Sequence, residues 1–269
     1  MRSRLILFAI YSKEGKINKN TLNYIKQVKD YTEEKNNKGE DYQELVLLVN
    51  HCMIDSKDLI RLQSYWKVVF VENYWYDFWM YCSFFQTHIQ SKHWKWKLLL
   101  INDSVLVVRP LNNIFKWLDN CEEEYVGINE WWIKKKNIDN YIKFIRKDRN
   151  WYRSPYKNWK HIESWFIQIQ WKARDLIDKM IIEWVPSIKE QTIYEYELKR
   201  SQIAYKKYTT NVLNKNNRRI SICYDEPLYM YNNNQPRIKK NFNNYWYKKQ
   251  FKPVIDKLAT EIYKQTFKS

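Results

Sequence analysis

Four short, unbroken apolar runs, Leu5–Ile10, Leu45–Val49, Val68–Val71 and Leu98–Ile101, constrain this chain more than any other feature. A strand with one face in water alternates apolar and polar residues, whereas a run that is apolar throughout is covered on both faces. The segments between the runs have helical length. Leu22, Ile25 and Val28 share one face of a helix that Asn20 caps and that reaches about Asp30, with Lys35–Gly39 as a solvated turn. Ser56 caps a second, shorter helix, and the aromatic segment Asp77–Gln90 makes a third. The resulting β-α-β-α-β order implies an open, mostly parallel sheet with flanking helices.

Such sheets take ligands beyond the carboxyl ends of their strands, so the residues after each run are the ones to inspect. The fourth run ends in Asn102-Asp103-Ser104, which offers an amide, a carboxylate and a hydroxyl at the mouth of a buried strand. The third ends in Glu72-Asn73-Tyr-Trp75-Tyr-Asp77-Phe78, where Asp77 also stands as a helix cap. Farther on, His161 and Glu163 occupy alternate positions and share a face if extended, so either can serve as a base toward a hydroxyl.

The later elements are less regular. Val105–Val108 continues extended, Pro110 starts a helix reaching Asp119, and Tyr125–Ile128 and Phe166–Gln170 are strands. Trp131–Trp159 is basic and aromatic without period and reads as loops or an excursion over a site. Ala173–Trp184 and Glu190–Tyr208 are helical, Arg219–Cys223 is a last strand, Asn232–Asn234 is a loop, and Pro253–Phe267 is a closing amphipathic helix. With 269 residues and no linker rich in Pro, Gly or Ser, one domain is expected. Residues 1–130 then hold the regular alternating elements and 131–269 the less regular ones.

Composition bounds the partners. Lys and Arg total 47 against 30 Asp and Glu, a net charge of +17, which favours polyanions: a pyrophosphate-bearing metabolite, anionic lipid or nucleic acid. Only 3 glycines beside abundant Lys, Asn, Ile and Tyr point to drift in an AT-rich genome, so the charge weighs less than its size. Cys52, Cys82, Cys121 and Cys223 form no CxxC pair, which fits a reducing cytoplasmic compartment, and the adjacent His51 and Cys52 lack a second pair at zinc spacing. No run approaches the roughly 18 apolar residues of a membrane span. The apolar stretch after Met1-Arg2-Ser3-Arg4 is too short, and lacks the small-residue cleavage site, of a signal peptide.

Seven short motifs in order carry a resemblance: Tyr11-Ser-Lys-Glu-Gly15-Lys-Ile17, Glu72-Asn-Tyr-Trp-Tyr-Asp77-Phe78, Leu99-Leu-Ile-Asn102-Asp103-Ser104, Tyr125-Val-Gly127-Ile, His161-Ile-Glu-Ser164-Trp-Phe166, Tyr194-Glu-Tyr-Glu197-Leu and Gln235-Pro236-Arg-Ile238-Lys239. Over roughly residues 5–240 the chain resembles the rhamnan-synthesis F glycosyltransferases. The resemblance implies a GT-A-like fold, a nucleoside-diphosphate sugar donor such as activated rhamnose, and a glycan or glycolipid acceptor in polysaccharide synthesis. It implies a Rossmann-like nucleotide-binding half over residues 1–130 and an acceptor-side half over 131–269, with Tyr11, Asn73, Asp77, Asn102, Ser104 and Lys239 as donor-binding residues and Asp103 and His161 as catalytic ones, Glu163 being a further base peculiar to this chain. Asp103 stands where many GT-A enzymes carry a metal-binding Asp-x-Asp, so Mg²⁺ or Mn²⁺ is the implied cofactor. The chain departs from the family pattern at Trp75, where the family has glycine, at Glu163, where it has glutamine, and at Trp165, where it has tyrosine.

Two other readings compete. Trp131-Trp-Ile-Lys-Lys-Lys136 and Trp151-Tyr-Arg-Ser-Pro-Tyr-Lys157 could pair phosphate contacts with base stacking, but no nucleic-acid-binding module is visible and aromatic side chains also stack on sugars. A catalytically degenerate transferase fold acting as a scaffold is the other. The positive charge further predicts a peripheral contact with an anionic membrane or glycan.

Overall fold

The computed structural model describes residues 3–10, 15–17, 19–39, 41–50, 54–72, 77–103, 105–107, 110–134, 158–162, 166–179, 193–214 and 230–232. All four apolar runs are strands: β1 (Arg4–Ile10), β2 (Gln43–Asn50), β3 (Lys67–Val71) and β4 (Lys97–Asn102). They lie parallel in the order β3-β2-β1-β4. β5 (Val105–Val107) leaves this sheet and pairs antiparallel with β10 (Met230–Asn232). Beyond β4 the sheet continues through β8 (Phe166–Ile169), β6 (Tyr125–Lys134) and β7 (Asn158–Ile162), all antiparallel to their neighbours, while β9 (Thr210–Asn214) runs parallel to β6. The expected open, mostly parallel sheet with flanking helices is the one observed.

Alternation along β1 explains why both faces had to be apolar. Leu5, Leu7 and Ala9 join one core cluster with α3 (Asp77–Thr87), while Ile6, Phe8 and Ile10 join another with α1 (Lys19–Lys38) and α4 (Asn112–Asn120). At about 25 cal/mol per Å² these buried side chains are the main favourable term in folding. Among the described residues the remaining helices are α2 (Ser56–Gln63), a 3-10 turn at Ser91–Lys95, the short α5 (Asp175–Lys179) after a 3-10 turn at Trp171–Ala173, and α6 (Ile193–Lys207). Cys82 and Cys121 are buried and unbridged, and burial pushes their thiols up to about 12 and about 11. Neither is ionised near neutral pH, which removes both as nucleophiles.

Several boundaries differ from expectation. Helix α1 runs past Asp30 to Lys38, so Lys35–Gly39 is its last turn rather than a loop. The i,i+4 pairs Lys29–Glu33 and Lys38–Glu34 line its exposed side, and it ends at Gly39, whose φ of 68° favours glycine. Asn20 lies inside the helix, and its side-chain oxygen accepts from the Val107 amide instead of capping. The cap of α2 is Asp55, one residue before Ser56, with its carboxylate accepting from the Lys57 amide. Strand β6 extends to Lys134 and β7 pairs with it, so both ends of the basic aromatic segment form a hairpin. Ala173 belongs to the 3-10 turn, and β9 was not expected. The readings of Arg219–Cys223, Asn233, Asn234 and Pro253–Phe267 lie outside the described residues.

Candidate functional site

The carboxyl ends of β1 and β4 meet at the Asn102-Asp103 corner. The Asp103 amide donates to the Ala9 carbonyl at 3.2 Å, extending the β1–β4 register by one step. Asn102 is buried, and its amide nitrogen donates to Asp77 Oδ2 at 2.6 Å. One hydrogen bond thus links the end of β4 to the first residue of α3, bringing together three residues singled out from sequence. Asp103 is half-buried and Asp77 is also partly exposed, so both carboxylates stand at the boundary between core and solvent.

Two further residues, missed by sequence reasoning, support this corner. Tyr81, one turn along α3, donates from its hydroxyl to the Ile101 carbonyl at 2.6 Å. Burial pushes that hydroxyl well above its ordinary value, the negative charges of Asp77 and Asp103 add to the rise, and Arg200 offsets part of it. The phenol therefore stays a donor and pins the strand just before Asn102. Arg200 on α6 is 1% exposed. Its guanidinium lies 4.5 Å from the Phe78 ring centroid, and its Nη2 donates to the Ile162 carbonyl at 2.9 Å. Arg200 thereby joins the start of α3, beside Asp77, to the end of β7, beside His161. A signal for it was present: Arg200 and Ala204 are four apart, which puts the cation on the buried stripe of its helix.

Of the other expected site residues, His161 has its backbone in β7, paired in register with Trp131, while its side chain lies outside the described residues. Tyr11, Asn73, Ser104, Glu163 and Lys239 also lie outside them. Among the described residues no group of three His, Cys, Asp or Glu side chains could hold a metal ion. Magnesium sites built on a substrate phosphate need only one or two protein carboxylates, so Asp103 at this mouth fits such an ion without a larger cluster. Gly127 of β6 passes so close to β7 that an added Cβ would sit 2.2 Å from the Ile162 side chain.

An open α/β sheet with a polar, carboxylate-bearing corner at its carboxyl edge is thus the class these observations define. No family model matches the chain, and no curated protein is similar to it in sequence. Among solved structures, one assigned as a nucleotide-diphospho-sugar transferase from Desulfovibrio desulfuricans aligns over 99% of both chains at 11% identity and a TM-score of 0.41. An active-site variant of LgtC aligns over 96% of this chain and 95% of its own, at 12% identity and a TM-score of 0.43. A 4-diphosphocytidyl-2C-methyl-D-erythritol synthase from Anaerococcus prevotii covers 79% of this chain and 86% of its own, at 13% identity and a TM-score of 0.42. Likeness at this level assigns no residue and no substrate.

Proposed function

We propose that this chain is a glycosyltransferase that moves a sugar from a nucleoside-diphosphate donor to a hydroxyl of a growing glycan. The observation that carries this reading is the Asp77–Asn102–Asp103 corner at the carboxyl edge of a parallel sheet, where open α/β folds take their ligands. The seven ordered motifs support the rhamnan-synthesis F family and an activated rhamnose donor. The chain is read as one domain, with residues 1–130 as the nucleotide-sugar half and 131–269 as the acceptor half. Its work is placed in the cytoplasm.

The chemistry is a single displacement at the anomeric carbon. Tyr11 borders the nucleobase, and Asn73, Asp77, Asn102 and Ser104 hold donor hydroxyls and phosphate oxygens. The Asn102 bond keeps Asp77 oriented before substrate arrives, which lowers the cost of ordering the site. His161 or Glu163 removes the proton from the acceptor hydroxyl, and Lys239 offsets the charge that grows on the departing diphosphate. Asp103 would hold Mg²⁺ or Mn²⁺, which when bound supplies further neutralisation of that diphosphate. Calorimetric titration with UDP, GDP and dTDP and their sugar conjugates tests the reading: binding of one nucleotide is expected, and no binding to any by the folded protein overturns it.

A peripheral contact with an anionic membrane or glycan is part of the same proposal, supported by the net charge of +17. At the amino edge of the sheet Tyr42, Trp94 and Trp171 are 44%, 48% and 54% exposed, beside exposed Lys92, Lys95 and Lys172. Aromatic and basic side chains of this kind suit a lipid headgroup layer. Sedimentation with anionic liposomes at low salt is expected to carry the protein down. Its remaining in solution there would remove the idea.

A further inference from the structure

The guanidinium of Arg200 has more donors than the fold uses. Its Nη2 serves the Ile162 carbonyl, but its Nε and Nη1 are buried and hydrogen-bond to no described residue. A buried cation left partly unpaired costs several kcal/mol, and buried donors in folded proteins are nearly always satisfied. Here the cost is retained at the site's own mouth, because the guanidinium lies over Phe78, the second residue of α3, and its charge is felt at Tyr81 together with those of Asp77 and Asp103. Helix α3 points its amino end at this same corner, with Asp77 as its first residue. The positive end of a helix dipole favours an anion, and an arginine fork matches phosphoryl oxygens.

We infer that Arg200 is the buried cation that receives a phosphoryl group of the donor's diphosphate, with the amino end of α3 beside it. The inference rests on the sugar-nucleotide reading for its ligand, but its site can be tested with inorganic pyrophosphate alone. Asp77 keeps its negative charge although its Oδ2 accepts from the Asn102 amide, so it is the Arg200 charge that must outweigh it for an anion to settle there. Because Nε and Nη1 are closed off in the ligand-free chain, the phosphoryl group enters by parting the side chains around them. This step weakens binding without changing its specificity.

The test compares the parent with Arg200→Met and Arg200→Gln by thermal melting and calorimetry, using pyrophosphate, a nucleoside diphosphate and the matching uncharged nucleoside. Arg200→Met removes a costly charge, so the unliganded variant is expected to melt no lower than the parent. Pyrophosphate should raise the parent's melting temperature and leave both variants unmoved. Affinity for the diphosphate should fall roughly 10- to 100-fold, the scale of a charged hydrogen bond, with nucleoside affinity unchanged. Equal pyrophosphate binding by parent and a folded variant overturns the proposal, as does failure of both variants to fold, which makes the guanidinium structural. Pyrophosphate binding that depends on Arg200 in a protein that ignores every nucleotide keeps the anion site and rejects the sugar-nucleotide reading instead.

Discussion

The two edges of the parallel sheet treat charge in opposite ways. At the amino edge Arg4, the first residue of β1, donates from Nη1 to the Tyr31 hydroxyl at 2.5 Å and from Nη2 to Asp119 at 3.2 Å, while Lys35 reaches the same carboxylate at 2.7 Å. Tyr31 donates to Asp119 as well and stacks on Phe115 at 4.1 Å. Nearby, Glu44 accepts from both Lys92 and His93. At the carboxyl edge Arg200 spends one of its nitrogens and leaves two without a hydrogen-bond partner among the described residues. Arg4 leaves only Nε. A closed network is what a fold builds to hold its layers together, whereas a charge carried at a cost marks a place where something else is meant to bind.

The largest effect should come from exchanging a carboxylate for an amide at each edge. Asp103→Asn keeps the shape of the corner and removes its charge, so sugar transfer should fall by roughly a hundredfold or more while the melting temperature stays near the parent's. Asp119→Asn should do the reverse. Burial works against ionisation of Asp119, but hydrogen bonds from Lys35 and Tyr31 and the charge of Arg4 outweigh it and hold the carboxyl below its ordinary range. Without that charge two cations lose their partner, at about 2 kcal/mol once the partial exposure of the site is allowed for. Denaturant unfolding and turnover measured on the same two variants would break the comparison if the effects were exchanged.

Gly127→Ala tests the strand crossing that supports the carboxyl edge. The new methyl would press on Ile162, whose carbonyl anchors Arg200, so a loss of roughly 1–3 kcal/mol is expected from overpacking. If the strands give way, nucleotide affinity should fall along with stability, and adding Ile162→Leu, which removes the Cγ2 that the new methyl would meet, should recover part of both. A variant as stable as the parent would show that β6 and β7 are not held at this spacing.

The parallel half of the fold was legible because it is written in local pattern. Runs such as Leu45–Val49 are apolar at every position, and the helices between them carry a stripe of period near 3.6. In the antiparallel half the start of β6 at Tyr125 and all of β8 were legible, but β7 and the far end of β6 were not. Strand β6 changes partner along its length, from β8 at Tyr125–Gly127 to β7 at Glu130–Lys134, and that second pairing is decided by residues far away in sequence. Helix α1 outlasted its apolar stripe, and Asn36 in its last turns bonds both polar groups of the Gln43 backbone across the turn, a polar contact that apolar periodicity does not register. At the site, Asp77, Asn102 and Asp103 could be found because they follow strands. Arg200 escaped, because its spacing to Ala204 was its one local signal and a lysine- and arginine-rich composition hides one buried cation among many exposed ones.

The smallest effect sharpens the account of the amino edge through His93. Its Nδ1 accepts from the Gln90 amide at 3.1 Å, which leaves Nε2 to carry the proton donated toward Glu44 at 3.1 Å. Burial lowers the affinity of this imidazole for a second proton, and although Glu44 pulls the other way, burial prevails. The folded chain thus holds His93 neutral in a range where the unfolded chain has begun to protonate it. The unfolded state binds more protons there, so stability rises with pH through the window just below 6.5 and is lost on acidification. His93→Gln is close in size, can accept and donate at the same two places, and does not titrate. Its stability curve should therefore be flatter than the parent's in that window, by at most about 1.4 kcal/mol per pH unit, the slope of one proton. Urea unfolding at a series of pH values would show it, and parallel curves for parent and variant would mean that His93 protonates as freely in the fold as outside it.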